Sequence, residues 1–321
     1  MKNILVIGGG QLGSRHLQGL LKSKYDYKIY VVDPSEISLN ICKLRANEIQ
    51  NNKSIIFVLN LESIPRNIYF VIISTSSLYR EQIIYNLLKN FDVKYFLLEK
   101  VLFPDLEAYQ KVKEQFNKTD SRIWVNHPRR IFSFYKKLKR KLEATKSINF
   151  NLRGGNWGLA CNGLHYIDLF CFLSNSQVES IDTSGVENTV MQSKRESFLE
   201  FSGTIKGNLI NGNRFELTSS NNDDDCILQI EYGKCSIQVN ETKKEALFQD
   251  DFDIQNFNKV NFEIELQSEL TNTIIEKIID KQTCDLVEFE FSSKTHYIFI
   301  SELLKKYNTI TGQINKTLPI T

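Results

Sequence analysis

Over the first 125 residues the apolar positions come in short unbroken runs. Between them lie stretches in which apolar residues recur every three or four positions. The runs at 4–7, 29–32, 55–59, 70–73, 95–98 and 123–125 predict strands. The segments 14–22, 38–49, 81–90 and 106–116 predict helices. Unbroken apolar strands that alternate with helices imply a parallel sheet covered on both faces, and right-handed crossovers then give a doubly wound α/β fold.

The style changes near residue 125. A basic helix is predicted over 132–142 and a strand over 147–152. A glycine-rich stretch follows, and then a helix over 164–173 with Asn162 as its N-cap. Strand patterns dominate from about 178 to 291, at 198–205, 214–218, 226–231, 234–239, 245–248 and 286–291, with a hairpin turn at Tyr232-Gly233. Helices are expected over 266–281 and 294–307. The expected organisation is one domain over 1–125 and a second over 126–321, an α+β domain with a large open, mostly antiparallel sheet. An open sheet face of this kind is expected to pack on another subunit, giving a homodimer or homotetramer.

Composition narrows the class. The chain has 321 residues with 41% apolar and 24% charged positions, enough to bury full cores. Forty Lys and Arg against 38 Asp and Glu leave a formal charge of +2, which excludes a strongly basic nucleic-acid binder. Six scattered cysteines without a C-x-x-C pair read as thiols, with neither a disulfide frame nor a metal site. The apolar run at 4–7 is too short for a signal peptide, and no apolar stretch is long enough for a membrane span. The expectation is a cytoplasmic protein with no membrane or nucleic-acid partner.

The sharpest chemical signal is Gly8-x-Gly10-x-x-Gly13, with Gln11 and Leu12 inside it, placed between a strand and a helix. In a Rossmann dinucleotide-binding turn these glycines permit the bend, the approach of a pyrophosphate and tight helix packing. Asp33 ends the next strand, twenty residues on, where a carboxylate accepts from ribose hydroxyls and repels a 2′-phosphate. That favours NAD over NADP. Ser74, Thr75 and Ser76 follow the fourth strand, Glu99 and Lys100 the fifth, and Asn126 and His127 the sixth. All these stand at the carboxyl edge of a parallel sheet, where ligands bind. Lys100 there is a candidate acid or base. In the second part, His165 and Asp168 share a helical face one turn after Cys161 and Asn162. Residues 129–146 carry eight basic side chains. They are either a solvated face or an attraction for a phosphorylated or nucleotide-linked sugar, with Arg130 nearest the sixth strand.

The ordered set Gly8-x-Gly10-x-x-Gly13-x-x-His16, Asp33, Glu99-Lys100 and Gly163-x-His165-x-x-Asp168 resembles the glucose–fructose oxidoreductase / inositol dehydrogenase (Gfo/Idh/MocA) family over nearly the whole chain. The resemblance implies a nucleotide-binding domain followed by an open-sheet domain, and oxidation or reduction of sugars and cyclitols. It implies catalytic roles for Lys100 and His165. Position along the chain sets Asp168, Asn162, Cys161, Arg130 and His127 toward the substrate. The sequence departs from the family pattern at Val101, where a proline is usual, and at Cys161, where an aspartate is usual. It also has Ser76 where a proline would follow Thr75.

The expected activity is NAD(P)-dependent hydride transfer at a carbinol carbon of a sugar or sugar derivative, nucleotide-activated or acidic, in surface-glycan synthesis. Two alternatives stand beside it: a nucleotide-binding sensor without catalysis, and a reductase of a non-sugar substrate.

Overall fold

The unbroken apolar runs become strands, buried on both faces except at the edge strand over 55–58. In the computed structural model, which describes residues 1–249 and 258–321, they are β1 (Lys2–Ile7), β2 (Tyr27–Val32), β3 (Ile55–Val58), β4 (Asn67–Ile73), β5 (Asp92–Leu98) and β6 (Arg122–Val125). They pair in parallel in the order β6-β5-β4-β1-β2-β3. Ile4, Leu5, Val6, Phe70, Val71, Phe96 and Leu97 are wholly buried. The helices between them are α1 (Gln11–Leu21), α2 (Glu36–Asn47), α3 (Ser77–Asn90) and α4 (Leu106–Phe116). Ser35 caps α2 by accepting from the Ser38 amide.

The chain divides into two units. The first comprises Met1–Phe103, Glu107–Pro128 and Glu265–Glu290. The second comprises Pro104–Leu106, Arg129–Ile264 and Phe291–Thr321. The helix expected over 266–281, taken in the sequence as part of the second domain, is α7 (Gln267–Lys281) and belongs to the first unit. It lies along α1 so closely that a Cβ on Gly19 would stand 2.6 Å from the Thr271 Cβ. Its Leu270, Ile274, Ile275 and Ile278 are buried, each contributing roughly 1.5–3 kcal/mol. The alternation at 286–291 predicted a full strand. Only Val287–Glu288 (β16) pairs, antiparallel to β6, and the chain then enters helix α8 (Phe289–Thr311). The apolar residues Phe289, Phe299, Ile300, Leu303 and Leu304 are buried at helical spacing, and the longer period wins.

In the second unit, a short 3-10 turn (Pro128–Ile131) leads to α5 (Ser133–Leu142), β7 (Ile148–Gly155) and α6 (Leu159–Ser174). The strands that follow are β8 (Val178–Asp182), β9 (Val186–Gln192), β10 (Leu199–Leu209), β11 (Arg214–Ser220), β12 (Ile227–Tyr232), β13 (Cys235–Asn240), β14 (Glu245–Gln249) and β15 (Asn258–Asn261). They form a nine-stranded sheet, β15-β14-β13-β12-β7-β11-β10-β8, with β9 on β10. Only β7 and β11 pair in parallel. One face is apolar and covered by α6, whose Phe170 stacks on Phe150 at 4.6 Å.

The other face alternates to polar residues: Asn149, Asn151, Arg153, Lys206, Glu216, Gln229 and Glu231. Glu216 meets both Arg153 (3.0 Å) and Lys206 (3.4 Å). This face is solvated without strain, so it has no hydrophobic need of a cover.

Among the described residues no helix is long and apolar enough to cross a membrane, and no cluster could hold a metal ion. None of the six cysteines forms a disulfide.

Candidate functional site

Backbone hydrogen bonds continue past the strand ends of the first sheet and align the predicted residues in a row. Gly8 N donates to Val32 O, Ser74 N to Ile7 O, Glu99 N to Ile73 O and Asn126 N to Leu98 O, all at 2.8–3.1 Å. The carboxyl edge therefore carries Asp33, Gly8, Ser74, Glu99 and Asn126 side by side. Lys100, half-buried, follows directly, and its peptide bond to Val101 is cis.

The glycine turn has the geometry its sequence implies. Gly8 sits at φ +95°, in the left-handed region, and a Cβ on Gly13 would fall 1.7 Å from Gly8 O. At Gly10 the opposite holds: a Cβ there would meet no heavy atom within 4 Å. No side chain caps the start of α1. This is an open anion cradle at the N-terminus of an eleven-residue helix. Asp33 is fixed by two backbone donors, Gly9 N to Oδ2 (2.7 Å) and Ser35 N to Oδ1 (2.8 Å). A cleft of about 840 Å³ opens beside Asp33, Gly8 and Thr75, walled by Pro34, Leu59, Ile64 and Ile83. A flat heteroaromatic base fits walls of that kind.

The hydroxyls after β4 divide in role. Ser74 donates to Ile7 O and Gly8 O (3.0 and 2.8 Å), clamping the glycine turn. Thr75 Oγ1 is buried with no partner, and Ser76 is the N-cap residue of α3. Two residues not singled out in the sequence hold this region. Arg80, 1% exposed, donates to the carbonyls of Thr75, Val101 and Leu102, which ties the loop after β4 to the one after Lys100. Arg45 donates to Gln11 O (2.8 Å), to the Gln11 side chain and to Ser14 Oγ. Most of these carbonyl partners lie more than twenty residues from their arginine and leave no local pattern to read.

Glu99 lies at the centre of a buried ring. It accepts from His16 Nε2 (2.8 Å) and Asn126 Nδ2 (2.5 Å). Asn126 Nδ2 also donates to Gln267 Oε1 (3.0 Å), Gln267 Nε2 donates to Thr271 Oγ1 (3.0 Å), and Thr271 returns to His16 Nδ1 (2.9 Å). Burial alone would raise the Glu99 carboxyl. The hydrogen bond and charge of His16, the Asn126 amide and the Arg80 charge together hold it below the ordinary range. Asn126 Oδ1, in a residue only 2% exposed, has no partner. An unmet buried acceptor costs roughly 1–3 kcal/mol. Thr75 Oγ1 and Asn126 Oδ1 are thus two unmet groups on the carboxyl edge, and the open cradle at Gly10 follows β1, the strand on the other side of β4. These features fit a dinucleotide whose pyrophosphate lies over Gly10. His127 is buried beside Asn126, 1% exposed.

In the second unit, α6 begins a turn earlier than predicted. Gly158 is its N-cap residue, and Asn162 lies inside the helix, donating to Trp157 O (2.6 Å). The helix start is satisfied by Glu200 of β10, which accepts from the Ala160 and Cys161 amides (2.5 and 3.2 Å). A carboxylate at a helix N-terminus is favourable, and the distant Glu200 removes the need for a local cap. Cys161 Sγ lies 3.7 Å from Ser193 Oγ.

His165 sits one turn on. Asp168 accepts from Arg130 Nε (2.6 Å). Burial pushes the Asp168 carboxyl up, and Arg130 recovers only part of that. Arg129 is held in the same way, bidentate on Glu241 (2.8 and 2.6 Å), which also accepts from Tyr135 (2.7 Å) and Tyr166 (3.3 Å). The first two basic residues of segment 129–146 are therefore spent on buried carboxylates.

The parallel sheet, glycine turn and carboxylate at the end of β2 define the first unit as a nucleotide-binding Rossmann domain. Residues 2–127 match the model of an oxidoreductase family with an NAD-binding Rossmann fold, Gfo/Idh/MocA. No curated protein sequence gives a significant match. Solved structures share the fold over almost the full length. One is the UDP-N-acetylglucosamine 3-dehydrogenase GnnA of Acidithiobacillus ferrooxidans (TM-score 0.69, 12% identity, 94% of this chain and 96% of that one). Another is an Agrobacterium radiobacter oxidoreductase in complex with NAD+, L-tartaric acid and magnesium (0.72, 12%, 97% and 99%). A third is the super-repressor mutant of Gal80p from Saccharomyces cerevisiae (0.72, 12%, 97% and 96%).

Proposed function

We propose that the protein is an NAD-dependent oxidoreductase acting at a carbinol carbon of a sugar or sugar derivative. The observation that carries this reading is the row of Asp33, Gly8, Ser74, Glu99 and Asn126 along one sheet edge, with Lys100 directly after it. Asp33, its carboxylate locked by Gly9 and Ser35, accepts from both ribose hydroxyls of the adenosine and repels a 2′-phosphate. That is the basis for NAD over NADP. The amides at the start of α1 hold the pyrophosphate. Bound NAD supplies the hydride acceptor or donor. Lys100 holds and transfers the proton of the substrate hydroxyl, as a general base in oxidation and a general acid in reduction. His165, on α6, is the second proton-handling candidate. The UDP-N-acetylglucosamine 3-dehydrogenase among the structural neighbours supports a sugar, free or nucleotide-linked. A dimer or tetramer through the second sheet would be built on its polar face, by matched charges and amides.

A second reading, a nucleotide-binding regulator without turnover, draws on Cys161 and on Asp168 being already paired with Arg130. One experiment separates the two. NADH binding is followed by its fluorescence, and turnover is screened by nicotinamide absorbance against free hexoses, uronic acids and UDP-sugars. We expect binding and turnover, with Lys100→Met keeping binding and losing ~10²–10⁴-fold in rate. Wild-type rates in Lys100→Met would remove the catalytic assignment, and binding with no turnover of any sugar would favour the regulator.

A further inference from the structure

We propose that Gln267, anchored by Thr271, is a positioning residue that makes the nucleotide site selective for a carboxamide-bearing nicotinamide. The inference rests on the NAD-binding reading above. Its logic is an accounting of donors and acceptors around Asn126. Glu99 is held as a carboxylate and can only accept, so the Asn126 side chain must turn its NH2 toward it. That same NH2 has a second acceptor, Gln267 Oε1. Gln267 in turn cannot flip: its own NH2 donates to Thr271 Oγ1, and a flip would set two NH2 groups against each other.

The consequence falls on the Asn126 carbonyl. It is left as a buried oxygen that only accepts, with no partner among the described residues, at the sheet edge directly after β6. A ligand there satisfies it only by donating. The nicotinamide carboxamide carries such an N–H; an acetyl group in its place does not. Without Gln267, the Asn126 amide keeps a single anchor at Glu99 and its carbonyl is no longer held to one orientation.

The test uses the full-length protein and isothermal titration with three probes: NAD+, 3-acetylpyridine adenine dinucleotide and ADP-ribose. The wild type should bind NAD+ about tenfold more tightly than the acetyl analogue, the loss expected for one hydrogen bond to a buried group. In Gln267→Leu and in Thr271→Val that ratio should fall to about two or below, while ADP-ribose affinity stays within twofold of wild type. Thr271→Ser should restore the ratio. A wild type that binds the analogue as well as NAD+ overturns the proposal. So do variants whose ratio is unchanged, or whose ADP-ribose affinity falls as far as NAD+ affinity. Failure of the wild type to bind ADP-ribose or NAD+ at all is a different result, and it strikes the NAD reading itself.

Discussion

The buried carboxylates of the two units have different neighbours. Around Glu99 the first unit builds a ring of side chains that leaves oxygens over, on Asn126 and Thr75, beside a turn with open space at Gly10. In the second unit the carboxylates are used up internally: Asp168 on Arg130, Glu241 on Arg129 and two tyrosines, and Glu200 on the start of α6. The difference teaches where each unit puts its polar chemistry. In the first, the unmet oxygens lie on the edge proposed above for the cofactor. In the second, the same residue types hold the fold together, and their charge is cancelled before any substrate arrives.

The comparison breaks most visibly by removing one half of a spent pair. Arg129→Met leaves Glu241 buried and uncompensated, and should cost about 3–5 kcal/mol in urea unfolding. A loss below 1 kcal/mol would mean that the pair is solvated. Gly10→Val acts on the other unit and on function alone. Nothing opposes its side chain from the protein side, so the melting temperature should hold while NADH affinity drops by at least ~100-fold, about 2.7 kcal/mol. Unchanged affinity would place the phosphates elsewhere.

The pH dependence separates the carboxylates by sign. Glu99 and Glu241 titrate below the ordinary range in the folded state. Their stabilisation is complete above the unfolded value, about 4.3, and is lost as pH falls through the depressed folded values. Asp168 is raised, so its folded form takes up a proton first, and stability gains as pH falls toward about 3.9. Thermal melts from pH 7 to 3 should show Glu241→Gln flattening the acid limb and Asp168→Asn removing an opposing rise. An acid limb identical to wild type in Glu241→Gln would contradict the first of these. The smallest effect is expected for Ser74→Ala, which loses two hydrogen bonds to the glycine turn, about 1 kcal/mol in unfolding.

The same contrast explains what the sequence made legible. The ligand edge could be read because its parts are local: a glycine turn, a strand-ending aspartate and a Glu-Lys pair, each set by residues next to one another. The six strands of the first sheet and α4 fall at or near their expected places because unbroken apolar runs leave few alternatives. The second unit's polar contacts join residues forty to more than a hundred positions apart, as in Glu200 with α6 and Glu241 with Arg129. No pattern along the chain announces them. Asn162 is the right residue type for a cap near an apolar helix. Gly158 and a remote carboxylate start that helix instead. The Val-Glu-Phe-Glu-Phe alternation at 287–291 imitates a strand, and only the burial of α8 on a longer period exposes it.

Helix α7 carries a consequence for how the molecule is made. The face of α1 bearing His16 and Gly19 stays bare until residues 265–290 emerge from the ribosome. At about 5–20 residues per second, that delay is on the order of ten to thirty seconds after β6 is complete. Through that interval His16 of the nascent nucleotide-binding unit keeps Glu99 but lacks Thr271, and the α1 face around Gly19 is uncovered. The second unit's strands are synthesised within the same interval. A fragment ending at residue 128 should therefore behave as a chaperone client, and one supplied in trans with 265–290 should recover the first unit's fold.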